Sequence, residues 1–295
     1  MVAFAIGSAN ALLYPILAPA ILGSHAIVYT DAAAAWLAGG DPWTVGPREV
    51  VFAGPPTLML PFIPFVFIPE LLTRAIWVVG MLAAAVWTIR RLGLPSYWIA
   101  FPPLFSSVIL GHPEVLMLML LVLGGRASGL AALIKPYAAL PLLAERRWAA
   151  ITLAALVGAG TLLFLPWSQF IAEWPQITAT LARQAQGDST FGDLPLMVIA
   201  LVALASLGPR RALWLATPLL WPNAQPNYKV IGVPVLPPIV AVLWAFAVPG
   251  FTLGAIVAYA ALDRIDQFRP LPPWLRAGVK PAAQNFNAQP SGLGA

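Results

Sequence analysis

Between Trp148 and Trp167 the chain runs for 20 residues without one charged side chain. About 20 apolar residues in a helix are what a bilayer core demands. A water-soluble fold would have to bury such a stretch completely. This chain has little polar surface with which to do that, since only 9% of its residues are charged and 60% are hydrophobic. Soluble domains carry about 25% charged residues. The expected fold class is therefore all-α, a polytopic membrane protein of about ten short or broken transmembrane helices. Proline makes up 31 of the 295 residues, so the helices should be kinked or interrupted. Interrupted backbone at membrane depth survives where protein buries it or where it lines a wet cavity. The proline content thus points to an internal site.

The apolar segments can be placed by eye. The first is 4–24, interrupted by Pro15 and Pro19, and a loop is expected from 25 to 56. Residues 57–69 are short and carry three prolines, and 75–89 end at Arg90-Arg91. The pair 97–110 and 115–125 is joined by Gly111-His112-Pro113-Glu114. Residues 127–144 are broken at Lys135-Pro136 and close at Arg146-Arg147. Then come 148–167, a polar stretch 168–193, 194–208 closing at Arg210-Arg211, 212–221, and 230–262 split near Pro249-Gly250. The three arginine pairs should face the cytoplasm. The tips at 111–114, 168–193 and 222–229, with the 25–56 loop, then face outward. Parity closes only if several segments are partial insertions. No Lys or Arg precedes Arg48, so the first segment lacks the basic start of a signal peptide. The expected organisation is a transmembrane domain over 1–262 and a basic, Pro-rich, disordered cytoplasmic tail over 263–295.

The net charge of +5 speaks to orientation in such a protein, not to nucleic acid. Zero cysteines exclude disulfides and thiolate chemistry. Two histidines argue against a His-based metal site. The outward segments nonetheless collect the unusual polar groups. Asp31 and Asp41 lie in the first loop, His112 and Glu114 at one tip, Asn227, Tyr228 and Lys229 at another. Acid, base and cation together at one membrane face suit a phosphorylated lipid. Asp31 has two readings: it caps a short interfacial helix, or it is a general base that takes the proton of an attacking hydroxyl. Asp41, before Pro42 and after Gly39-Gly40, reads as a turn residue or a substrate contact. Lys135 inside an apolar run costs about 2.5–3.5 kcal/mol on insertion scales, so it either snorkels or faces a partner, a lipid phosphate among them. Trp36, Trp43, Trp167, Trp174 and Trp221 read as an interfacial belt.

The ordered motifs resemble glycosyltransferase family 87, within the GT-C superfamily of membrane enzymes. They are Tyr29-x-Asp31, then Trp36-Leu-x-Gly-Gly-Asp-Pro-Trp43, Phe52-Ala-Gly-Pro-Pro56, Gly111-His112-Pro113-Glu114, Gly129 through Lys135-Pro136, and Trp221 through Tyr228. The likeness covers about residues 1–250. It implies inverting transfer of a mannose- or arabinofuranose-class sugar from a polyprenyl-phosphate donor to an extracytoplasmic glycan or glycolipid acceptor, at the plasma membrane. It also implies Asp31 as the base; from the clustering of polar groups, Asp41, His112, Glu114, Lys135, Asn227, Tyr228 and Lys229 are expected to bind substrate. The implied partners are the lipid-linked sugar, the acceptor and membrane lipids. The sequence identifies no cofactor beyond the lipid-linked donor, and one Asp and a phosphate could share a divalent ion. His112 and Asn227 depart from the commoner family residues, and the chain is shorter than most relatives. A multi-pass lipid or solute transporter and a catalytically degenerate GT-C scaffold are the rival readings.

Overall fold

The computed structural model describes residues 21–44, 52–184, 189–246, 248, 250–268 and 270. Among these there is no strand, and the all-α expectation holds. The segment 4–24 lies almost wholly outside the described residues, as do Arg48 and Glu49.

Helix α1 spans Ser24–Leu37, where a loop was expected. Its alanines are strong helix formers, and tertiary packing completes it. Ala26, Tyr29, Ala32 and Ala33 are buried along one side. Asp31 is the eighth residue of this helix and does not cap it; the N-cap is Gly23, in the left-handed conformation. The next element, Pro56–Phe67, is a 3₁₀ helix containing Pro61 and Pro64. Prolines three apart remove the N–H groups an α-helix needs. Helix α2, Glu70–Arg91, is the one described helix long and apolar enough to cross a membrane. Arg90 and Arg91 sit in its last turn, where they favour the helix dipole.

A short 3₁₀ turn leads to α3, Pro102–Leu110, and α4, Glu114–Leu123. These two bend by 116° at the break between them. The expected 127–144 segment is divided into α5 (Leu130–Ile134), a 3₁₀ turn at Pro136–Ala138 and α6 (Ala139–Ala144). Helix α7 is Trp148–Thr161. Residues 168–184, expected as a polar loop, instead form most of α8, Trp167–Gln184. Helices α9 (Leu194–Ser206) and α10 (Pro209–Leu220) follow. A 3₁₀ segment, Pro226–Gly232, then precedes α11 (Pro238–Trp244) and α12 (Phe251–Phe268). The expected tail boundary at 262 falls inside α12. Asp263 belongs to the helix and pairs with Arg211 at 2.5 Å.

The two ends of α2 mark two different environments. Near its start, Trp77 donates its indole N–H to Gly111 at 2.8 Å. Past its end, Leu92 lines a small pocket with Glu145, Arg147 and Arg210. The rise of an α-helix puts these two levels about 22 Å apart. Two of the expected arginine pairs thus contribute to one end. Arg147 donates to the Leu121 carbonyl, and Arg210 to Glu145 at 2.7 Å. The belt expectation fails for Trp43. It is 2% exposed and donates to the Gly54 carbonyl at 3.1 Å, because an aromatic cluster with Phe52 and Phe170 encloses it.

Candidate functional site

At the Trp77 end of α2, four chain breaks meet. The first is the turn between α3 and α4. Gly111 has φ 78, and a Cβ there would lie 2.9 Å from the Trp77 ring. Glycine is therefore required on both counts. The turn closes with the His112 N–H donating to the Ser107 carbonyl at 2.8 Å, a helix C-cap of Schellman type. Glu114 follows as the first residue of α4, where the helix dipole favours a carboxylate.

The second break is Lys135. The residue before a proline avoids the α conformation, and Lys135 is extended at φ −143, ψ 122. That backbone swings its side chain out of the α5 axis and toward α4. The Lys135 Nζ lies 3.8 Å from Glu114 Oε1. The hydroxyl of Tyr137, just past the break, donates to the same oxygen at 3.1 Å. The third break, at Pro226, brings Tyr228 to 4.7 Å from the Tyr137 ring, with Lys135 Nζ 5.9 Å from the Tyr228 centroid. Trp221 closes over Tyr137 at 5.5 Å.

The fourth break is Gly23. Its N–H donates to the Ile109 carbonyl at 2.8 Å, which docks the start of α1 against the end of α3. His25 is thereby stacked on His112, with ring centroids 3.8 Å apart. His112 Nδ1 in turn lies 3.9 Å from Glu114 Oε2. One turn further along α1, Tyr29 packs on Phe52 and Phe62.

The result is a graded site. Its floor is Glu114, 1% exposed, with Lys135 at 11% and His112 at 14%. Glu114 Oε2 is buried with no hydrogen-bond partner. A buried carboxylate oxygen left unbonded costs about 1–3 kcal/mol or more, so the site holds an acceptor that no described group satisfies. The chemistry on offer is one carboxylate, one ammonium, two imidazoles and three phenols. Among the described residues no three His or acidic side chains are placed to hold a metal ion.

Of the residues expected from sequence, His112, Glu114, Lys135 and Tyr228 are brought together here. Asn227, buried beside Tyr228, is on the same 3₁₀ segment. Lys229 turns the other way and donates to the Phe246 carbonyl at 2.6 Å. Asp41 accepts from the Trp43 N–H at 2.9 Å, which is the turn its composition foretold. Asp31 is exposed, on a face of α1 other than the one carrying Tyr29 and Ala33. Protein around it and then the Glu70 carboxylate raise its carboxyl above the ordinary range, against the pull of Arg74. His25, Tyr29 and Tyr137 were given no role from sequence, although Tyr29 opens the Tyr-x-Asp motif. Helical spacing could have found the first two, since 25, 29, 32 and 33 share a face.

A helical chain whose scarce ionisable groups converge at broken segments is a protein built around an internal polar site. The chain belongs to glycosyltransferase family 87, whose model matches residues 52–265, and it is accordingly a glycosyltransferase. The match takes in Glu114, Lys135 and Tyr228 but begins after α1. No curated protein and no solved structure matches the chain.

Proposed function

We propose that this protein is an integral membrane glycosyltransferase that uses a polyprenyl-phosphate sugar. It moves a mannose- or arabinofuranose-class residue, with inversion, to an extracytoplasmic glycan or glycolipid. The observation that carries this reading is the Glu114–Lys135 pair with its imidazoles and phenols, in a chain of family 87. Lipid-facing surface supports the membrane setting. Leu156, Leu163, Leu201 and Val202 are large apolar residues left exposed, at 49–90%, and apolar patches of this kind mark membrane or partner contact. The 22 Å between the site and the arginine pocket fits a site near the outer face, with arginines inside.

The reaction needs no strong acid at the leaving group, because a phosphate leaves readily. It needs positive charge and hydrogen-bond donors where charge grows on the phosphate oxygen. Lys135 and the hydroxyls of Tyr137 and Tyr228 would supply them. Tyr29, Trp221 and the tyrosine pair offer aromatic faces to a sugar ring. Asn227 and Asp41 would contact substrate at the margin, and Asp31 is the acceptor-side carboxylate named by sequence. A divalent ion would have to be shared with the phosphate itself.

The test is turnover by purified protein in liposomes supplied with polyprenyl-phosphate mannose or arabinofuranose. Release of polyprenyl phosphate is expected, together with a loss of about 100-fold per folded molecule in Lys135→Met. That figure is the usual cost of removing one charge-stabilising donor. Sugar-lipid movement across the bilayer without bond cleavage would favour the transporter reading. Mass spectrometry of lipid co-purified with the protein identifies the donor class directly.

A further inference from the structure

Helix α2 leaves one long face uncovered. Ile76, Val79, Gly80, Ala83 and Trp87 are exposed along it, and Arg90 and Arg91 are exposed at its end. Residues 79, 83, 86, 87 and 90 share one side of an α-helix. Ala83, Val86, Trp87, Arg90 and Arg91 line a groove of about 470 Å³ on that side. The small residues prolong it toward the apolar middle of the helix. At Gly80 even an added Cβ would meet nothing within 4 Å.

An apolar helix face alone names no occupant; the charge at its end does. Two guanidinium groups line the groove and no carboxylate does. The later arginines differ, since Arg210 pairs with Glu145 and Arg211 with Asp263. Arg90 makes no ion pair among the described residues. Trp87, 37% exposed, lies one turn before the arginines, and indoles collect at the level of lipid headgroups. From Trp77 to Arg90 the helix rises about 20 Å. The groove is therefore at the opposite end of α2 from the Glu114–Lys135 cluster.

Like charge argues against two other occupants. Residues 269–295 carry Arg269, Arg276 and Lys280 and no acid. A second copy packed on this face in the same bilayer would set Arg90 and Arg91 against their own counterparts. A lipid anion meets both demands of the groove. Guanidinium forks bind phosphate oxygens two at a time, and an acyl chain covers the apolar slot.

We propose that this groove binds one anionic phospholipid of the cytoplasmic leaflet. Its phosphate rests on Arg90 and Arg91, its glycerol lies beside Trp87, and an acyl chain runs over Ala83 toward Val79. The proposal rests on the membrane setting above and not on the reaction. The ligand is a bilayer lipid, distinct from the sugar-bearing donor at the other end of the helix.

The experiment is native mass spectrometry of the full chain from detergent micelles, titrated with phosphatidylglycerol or phosphatidylcholine of the same acyl chains. Each variant is first shown to keep the wild-type thermal midpoint. Wild type should take up one phosphatidylglycerol at least about tenfold more tightly than phosphatidylcholine. Arg90→Gln/Arg91→Gln should lose that preference, with binding weakened at least about tenfold. Arg126→Gln/Arg264→Gln removes the same charge from exposed positions elsewhere, and should stay within about twofold of wild type. Ala83→Leu fills the groove without changing charge and should weaken binding about fivefold. Equal uptake of the two lipids overturns the proposal, as do equal losses in the two arginine variants or wild-type binding by Ala83→Leu. Displacement of phosphatidylglycerol by equimolar polyprenyl phosphate would make the groove a donor station instead. A dimer that Ala83→Leu dissociates would make it a contact between copies. Wild type that binds phosphatidylglycerol as expected but cleaves no polyprenyl-phosphate sugar keeps this proposal and loses the transferase reading. Wild type that transfers sugar but treats the two lipids alike loses this proposal only.

Discussion

Replacing Lys135 by Met and Glu114 by Gln, singly and together, tests whether the site is built as an interdependent unit. At 3.8 Å two unit charges attract by about 4 kcal/mol at an effective dielectric near 20. Desolvation of each ion costs several kcal/mol, so the pair as a whole contributes little net stability. Removing one partner is another matter, because the survivor stays buried. Breaking such a pair typically costs about 3–5 kcal/mol. Lys135→Met leaves Glu114 with the Tyr137 hydroxyl alone at 3.1 Å. Glu114→Gln keeps that acceptor but strands the ammonium. The double variant should recover to within about 1 kcal/mol of wild type, so the two single losses should be strongly non-additive. The assay is unfolding by increasing mole fraction of sodium dodecyl sulfate in mixed micelles, followed by tryptophan fluorescence. Single variants costing under about 1 kcal/mol, or losses that simply add, would refute the idea of a compensated pair.

Tyr137→Phe removes the buried hydrogen bond to Glu114 Oε1, beside an Oε2 that already has none. It should cost about 1–3 kcal/mol in the same titration, and no change would mean the carboxylate is satisfied otherwise. Gly129→Ala should be among the most damaging conservative changes in the chain. Its Cβ would lie 2.1 Å from the Ala150 carbonyl oxygen, backbone against backbone. The turn ahead of α5 must then separate from α7, at a cost of about 1–3 kcal/mol for overpacking, and a thermal midpoint equal to wild type would contradict the packing.

Part of this site could be read without coordinates. Proline and glycine marked where the helices break, and Lys135-Pro136 and Gly111-His112-Pro113-Glu114 were identified as unusual because charge is so rare. What local pattern could not supply was direction. Lys135 and Lys229 are both lysines in apolar runs beside a break, yet one meets Glu114 and the other the Phe246 carbonyl. Asp31 and His25 are six residues apart on one helix. The sequence drew attention to Asp31 because carboxylates are scarce, whereas His25 had the buried neighbours.

The physical reason is the separation of scales. Composition and apolar run length determined the all-helical architecture, because backbone hydrogen bonds must be satisfied within each segment wherever water is excluded. Those terms are local and additive along the chain. The partners of a buried charge are set by which broken ends meet, and that depends on close approaches such as Gly23 to Ile109 and Gly111 to Trp77. These contacts join residues 34 or more positions apart, so only the folded structure decided which acid, base and cation meet.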